Sequence, residues 1–173
     1  MITVYTDGSS RGNPGPGGYA AVIFYQKSLN NESGIKNKEW VTEIGGRRDL
    51  TTNNKMELLA AIKALKYLDS SFIIHDSLTI HTDSEYLMKG ITLWIHNWQK
   101  KNWRTAGRKP VLNKDLWQEL LPLTEGVKIE WKYVAGHSGV PANERCDEIA
   151  TKLADNITPD LYDGQRNKYP ISI

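Results

Sequence analysis

Two short runs in this chain share one pattern: ITVYTDGSS, from Ile2, and LTIHTDSEY, from Leu78. Each alternates β-branched or apolar residues with polar ones and ends in Thr-Asp followed by a small or polar residue, the mark of a strand with distinct faces. Between them, KMELLAAIKALKYLDS sets Leu58, Ile62, Leu65 and Leu68 at helical spacing, opened by the pair Asn53 and Asn54, which can cap it. In an open α/β sheet, ligand chemistry collects just beyond the carboxyl ends of the strands. If the two strands neighbour each other in parallel, Asp7 and Asp83 lie there together, about 5 Å apart.

The rest of the chain supplies the remaining elements of such a sheet. GYAAVIFYQ (18–26) reads as a strand buried on both faces, and the stretch from about Glu39 to Gly46 as a third strand. The polar segment between them predicts a hairpin with a long loop over about 30–38, its turn chemistry in Asn-Glu-Ser-Gly. SEYLMKGITLWIHNW predicts a helix interrupted or ended near Gly90. LNKDLWQELLPL predicts another with Asn113 as its cap, and VKIEWKYVAG (127–136) a fifth strand. NERCDEIATKLADN predicts a helix capped by Asn143 and apolar at Cys146, Ile149, Ala150 and Leu153. The last stretch lacks periodicity and reads as a partly ordered tail. The expected fold is α/β, a five-stranded mixed sheet with helices on both faces, in one domain over 1–155 followed by a tail over 156–173.

Two acids occupy positions that suit apolar residues. Glu57 shares a helical line with Ala61, Ala64 and Leu68, and Asp147 lies on a line with Ala150 and Ala154. A desolvated carboxylate must be paired, protonated or bound to a cation. Taken singly, each could be a helix-flank acid paired with Lys or Arg. Four acids, Asp7, Glu57, Asp83 and Asp147, at one end of a sheet would repel one another without a divalent cation, and an all-oxygen set suits Mg²⁺ or Mn²⁺. His137, in the loop GHSGVPA just before the Asp147 helix, reads either as a surface residue or as a proton shuttle near that site. His75, His81 and His96 lack zinc-motif spacing and are assigned to structure.

Charge is distributed unevenly. Between Glu85 and Asp115 there are seven basic residues, Lys89, Lys100, Lys101, Arg104, Arg108, Lys109 and Lys114, and no acid; elsewhere 15 basic residues face 20 acidic ones. The formal charge of +2 is therefore a cancellation. Trp94, Trp98 and Trp103 share the basic block, which reads either as an amphipathic helix with a solvated face or as a surface for a polyanion. The longest apolar run, Tyr19 to Tyr25, is far short of the ~20 residues that cross a bilayer, so no membrane span is expected. The opening residues lack the layout of an export signal, and the single Cys146 excludes an internal disulfide and a cysteine-rich zinc site; the expected compartment is reducing and cytoplasmic.

TDGSSRGNPGPGG, TTNNKMELLAA, TDSEY, WIHNWQKKNW, GHSG and NERCDE, in this order, closely resemble type 1 ribonuclease H of the bacterial form, from about Thr3 to Leu153. The resemblance implies a ribonuclease H-like fold and hydrolysis of the RNA strand of RNA–DNA hybrids, with little sequence specificity, leaving 3′-hydroxyl and 5′-phosphate ends. It implies two Mg²⁺ ions, one activating water and one stabilising the leaving oxygen, held by Asp7, Glu57, Asp83 and Asp147, with His137 assisting proton transfer or product release. It assigns Asn13, Asn53 and Asn54 to the RNA strand, with Glu57 also placed to accept from a 2′-hydroxyl, and Tyr86 and Trp94 to the DNA strand. Thr52 and Asn113 fall to a phosphate pocket, and Lys100, Lys101, Arg104 and Lys109 to a basic protrusion over about 94–112. The expected assembly is a monomer.

Two positions depart from the family's pattern. Glu85 stands where an uncharged residue is common, and Leu50 where the phosphate pocket usually has an arginine, with Arg47 and Arg48 close by. Two other readings compete: a hybrid-binding module without activity, which would need a broken acid set, and a DNA-cutting enzyme on the same fold, which would lack TTNN and the tryptophan-rich block.

Overall fold

The computed structural model describes residues 1–31, 34–71 and 77–171. The strands are β1 (Ile2–Ser10), β2 (Gly15–Asn31), β3 (Gly34–Thr51), β4 (Leu78–Thr82), β5 (Ile129–Tyr133) and β6 (Asp163–Gln165). The helices are α1 (Asn53–Ser70), α2 (Glu85–Lys89), α3 (Ile95–Lys100), α4 (Lys114–Thr124) and α5 (Pro141–Ala154). Strand order is β5-β4-β1-β2-β3-β6. The two matching runs are parallel neighbours, with Thr6 beside Thr82, so Asp7 and Asp83 leave the sheet side by side.

Alternation along β2 explains why it has no polar face. Ala21, Ile23 and Tyr25 join Leu58, Ile62, Leu65 and Trp117 in one core, while Ala20, Val22 and Phe24 join Cys146, Ile149 and Ala150 of α5 in the other. Helices therefore cover both faces, as expected.

Four local expectations are corrected. Among the described residues the sheet has six strands rather than five, because the tail turns back as β6 along the edge of β3. Asp163 accepts hydrogen bonds from Trp40 Nε1 at 2.6 Å and Thr42 Oγ1 at 2.8 Å, which fixes the register of a strand too short to show alternation. The long loop expected over 30–38 is mostly paired backbone, with Leu29 opposite Lys36 and Asn31 opposite Gly34; Glu32 and Ser33 of the expected turn, and His75, lie outside the described residues. The cap of α1 is Thr52, whose Oγ1 accepts from the Lys55 N–H at 3.3 Å, rather than the asparagine pair that follows it. Asn113 stands at the cap position of α4 as expected, with a left-handed backbone and no side-chain cap bond, whereas Asn143 does not cap α5, which starts at Pro141 and holds Asn143 inside its first turn.

The helix expected to break near Gly90 does so through a π-helical turn, Gly90–Trp94, joining α2 to α3. A Cβ on Gly90 would run into the ring of Trp117, so only glycine lets this turn pass the buried indole.

Candidate active site

The acids arrive from four elements. Asp7 is carried by β1, Glu57 by the first turns of α1, Asp83 by the residue after β4, and Asp147 by α5. Gly8 allows the closeness of the first two, since a Cβ there would collide with the Met56–Glu57 backbone and come within 2.8 Å of Met56 Cβ. One carboxylate oxygen from each of Asp7, Glu57 and Asp83 lies within 4.8 Å of the others. Asp147 is not part of this trio. It is half-buried on the wall of the same cavity, its Oδ1 accepting from Thr151 Oγ1 at 3.4 Å.

The cavity, of about 480 Å³, is lined by the four acids together with Asn53, Asn54, Tyr86 and His137. Sequence reasoning also missed several of its walls, among them Asn143 and Glu144. Asn143 is buried, and its Nδ2 donates to Asp83 Oδ2 at 3.2 Å. His137 is exposed, on a residue with φ of +53°.

Electrostatics follow from this crowding. Burial, then the charges of Asp83 and Asp147, push the Asp7 carboxyl up to about 8, against the N–H of Gly8 donating to its Oδ1 at 2.7 Å. Burial and the nearby Asp7 and Asp83 charges raise Glu57 well above the ordinary glutamate range, and its Oε2 is buried with no hydrogen-bond partner among the described residues. Three converging carboxylates, one with an orphaned buried oxygen, fit a hard divalent cation.

The other expected substrate residues lie outside this cavity. Thr52 caps α1, and Asn113 donates from Nδ2 to Tyr86 Oη at 3.2 Å, which ties α4 to α2. Tyr86 also accepts from Trp117 Nε1 at 3.0 Å and lies edge-on to Trp94, with ring centres 6.3 Å apart. Trp94, Trp98, Lys101 and Arg104 border a separate hollow of about 180 Å³. In the basic block Trp98 and Trp103 pack against the core, while Lys100, Lys101, Arg104 and Lys109 are exposed, as the amphipathic reading expects. Asn13 sits in the exposed turn between β1 and β2, and Leu50 is exposed. Of the histidines assigned to structure, His81 stacks on Tyr5 with ring centres 4.5 Å apart. His96 is exposed on α3.

A mixed sheet carrying carboxylates at the ends of two parallel strands, beneath an open cleft, defines an α/β enzyme with a cation-accepting acidic centre. The RNase H family model matches residues 1–155. Ribonuclease H of Klebsiella pneumoniae (strain 342) is 47% identical over 160 residues, covering 92% of this chain and 93% of that protein. Ribonuclease H of Yersinia pestis (strain Pestoides F) is 46% identical over the same length, covering 92% and 94%. Among solved structures, LC9-RNase H1, a type 1 RNase H with the type 2 active-site motif, matches with a TM-score of 0.72 at 30% identity, over 94% of this chain and 76% of that one. LC11-RNase H1 in complex with RNA/DNA hybrid shares the fold, with a TM-score of 0.61 at 21% identity over 90% and 98%. The chain belongs to the RNase H family, in its bacterial type 1 form, and is a ribonuclease H enzyme.

Proposed function

We propose that this enzyme hydrolyses the RNA strand of RNA–DNA hybrids, with little sequence specificity, leaving 3′-hydroxyl and 5′-phosphate ends. The observation that carries the reading is the convergence of Asp7, Glu57 and Asp83 in a cavity that also holds Asp147, Asn53, Asn54 and His137, within a chain of this family. Asp7, Glu57, Asp83 and Asp147 would hold two divalent cations, Mg²⁺ or Mn²⁺. Such ions supply activation of the attacking water and stabilisation of the departing 3′-oxygen. Asn143 keeps the Asp83 carboxylate turned toward the centre. Asn53 and Asn54, at the open end of α1, offer amide groups to the RNA strand, where a 2′-hydroxyl distinguishes ribose from deoxyribose. In the reaction a water oxygen bonds to phosphorus, the bond from phosphorus to the 3′-oxygen breaks, one water proton ends on that oxygen as the 3′-hydroxyl, and His137 carries the other outward.

Trp94 and Tyr86 would face the DNA strand, with Asn13 on the RNA side and Thr52 and Asn113 near a DNA phosphate. Lys100, Lys101, Arg104 and Lys109 neutralise backbone phosphates, a sequence-independent attraction that suits low specificity. Among the described residues no helix is long and apolar enough to cross a membrane. The working form is a monomer in the cytoplasm.

A labelled hybrid incubated beside matched duplex RNA and duplex DNA tests the reading. Cutting is expected only in the RNA strand of the hybrid, with Mg²⁺ and not with EDTA. In Asp7→Asn the rate should fall by at least about 10²-fold while hybrid binding persists. Cleavage of duplex DNA would point to a different enzyme on this fold. Undiminished cleavage by Asp7→Asn would remove the acid centre from the chemistry.

A further inference from the structure

Glu85 opens α2 at the rim of the acidic cavity. It also lines a second hollow, of about 270 Å³, with Met88, Lys89 and Tyr133. Glu85 therefore forms the ridge between the two, and a nucleic-acid strand leaving the cavity over α2 must pass it. Its Oε2 accepts a hydrogen bond from Lys89 Nζ at 2.5 Å, one turn along the same helix, with both side chains half or more exposed. Lys89 does not line the acidic cavity.

This pairing separates Lys89 from the rest of the basic block. Among the described residues it is the one of the seven basic side chains between Glu85 and Asp115 that forms an ion pair. The other six are left for external anions, whereas the Lys89 ammonium is engaged by a carboxylate. The Glu85 carboxylate stands apart from the converging trio of Asp7, Glu57 and Asp83. A phosphodiester passing within a Debye length, about 10 Å at 0.1 M salt, is repelled by a lone Glu85 but feels little of a contact pair.

We propose that Glu85 is an anionic ridge that limits how tightly the hybrid is held, and that Lys89, as its contact partner, offsets that charge. The proposal rests on the hybrid-cleaving reading above and adds a residue pair that sets substrate grip.

The test is a double-mutant cycle with Glu85→Gln, Lys89→Gln and the double variant, measuring KM and kcat on a labelled hybrid with Mg²⁺ at about 50 mM and about 200 mM NaCl. Lys89→Gln should raise KM by about three- to fivefold at the lower salt, with kcat nearly unchanged, and the effect should shrink at the higher salt. Glu85→Gln should lower KM. The double variant, which removes both charges together, should keep KM within about 1.5-fold of the wild-type value. If the double variant departs from the wild-type KM as far as either single variant does, the two charges do not offset each other and the proposal is overturned. If Glu85→Gln raises KM, Glu85 attracts the substrate and the proposal is likewise overturned. A wild-type protein that cuts hybrid, with neither single variant changing KM, overturns this inference alone; one that cuts no hybrid overturns the functional reading and this inference with it.

Discussion

Asp7 is the residue at which stability and activity pull in opposite directions. Its carboxyl is raised from 3.8 to about 8 in the folded protein, so the folded state binds the proton more tightly than the unfolded chain does. Its contribution to the stability of the cation-free protein should therefore be fullest below pH 3.8 and be lost as pH climbs through about 8. Asp7→Asn removes the repelling charge, so it should flatten that decline and raise stability at pH 8 by about 1–3 kcal/mol, read from urea unfolding in EDTA. Adding Mg²⁺ should stabilise the wild type at pH 8 and the variant far less. Asp7, Glu57 and Asp147 were legible in the sequence because an acid at a strand end or on an apolar helical line is conspicuous. Asn143 was not, because an asparagine near a helix start fits a cap equally well. Only the start of α5 at Pro141 turns its amide toward Asp83.

Among the elements, the α2–α3 passage shows how packing overrides propensity. In a helix, replacing glycine with alanine gains about 1 kcal/mol. Gly90→Ala should do the reverse, costing about 1–3 kcal/mol in thermal or urea unfolding, because its new methyl meets the buried Trp117 ring. The break near Gly90 was readable from the glycine itself; its π-helical form was not, since it depends on an indole 27 residues further along the chain. The basic block that follows belongs to the same stretch. Replacing Lys100, Lys101, Arg104 and Lys109 together with Ala should raise KM, leave kcat nearly unchanged, and reduce the salt slope of hybrid binding by up to about four. An unchanged slope would return these residues to a merely solvated face. Long elements with clear periodicity were legible. β6 was hidden because three residues cannot display a period, and its pairing with β3 rests on Asp163, which looks like an ordinary surface acid in the sequence.

Over the whole molecule, one buried carboxylate joins the tail to the body. Glu43 of β3 accepts from Arg145 Nε and Nη2 at 2.8 and 2.9 Å, from Tyr169 Oη at 2.6 Å and from the Tyr162 N–H at 2.9 Å. Burial alone would raise this carboxyl; the Arg145, Tyr169 and Tyr162 donors outweigh it and hold the group below its ordinary value of 4.5. Its contribution is therefore complete above pH 4.5 and is lost as pH falls through the lowered value. Glu43→Ala should cost about 3–5 kcal/mol, because it leaves Arg145 without its buried partner, and should weaken the acid-side loss of stability. Arg145 lies on α5 between Asn143 and Asp147, so the same anchor steadies the helix that brings both to the cavity. A ribosome delivers Asp7, Glu57 and Asp83 within the first 83 residues, but the donors that hold α5 against the sheet extend to Tyr169. A domain folds as a unit once its chain has been synthesised. The acid trio therefore emerges well before the segment that secures the wall opposite it, and the cleft is finished only once residue 169 is available.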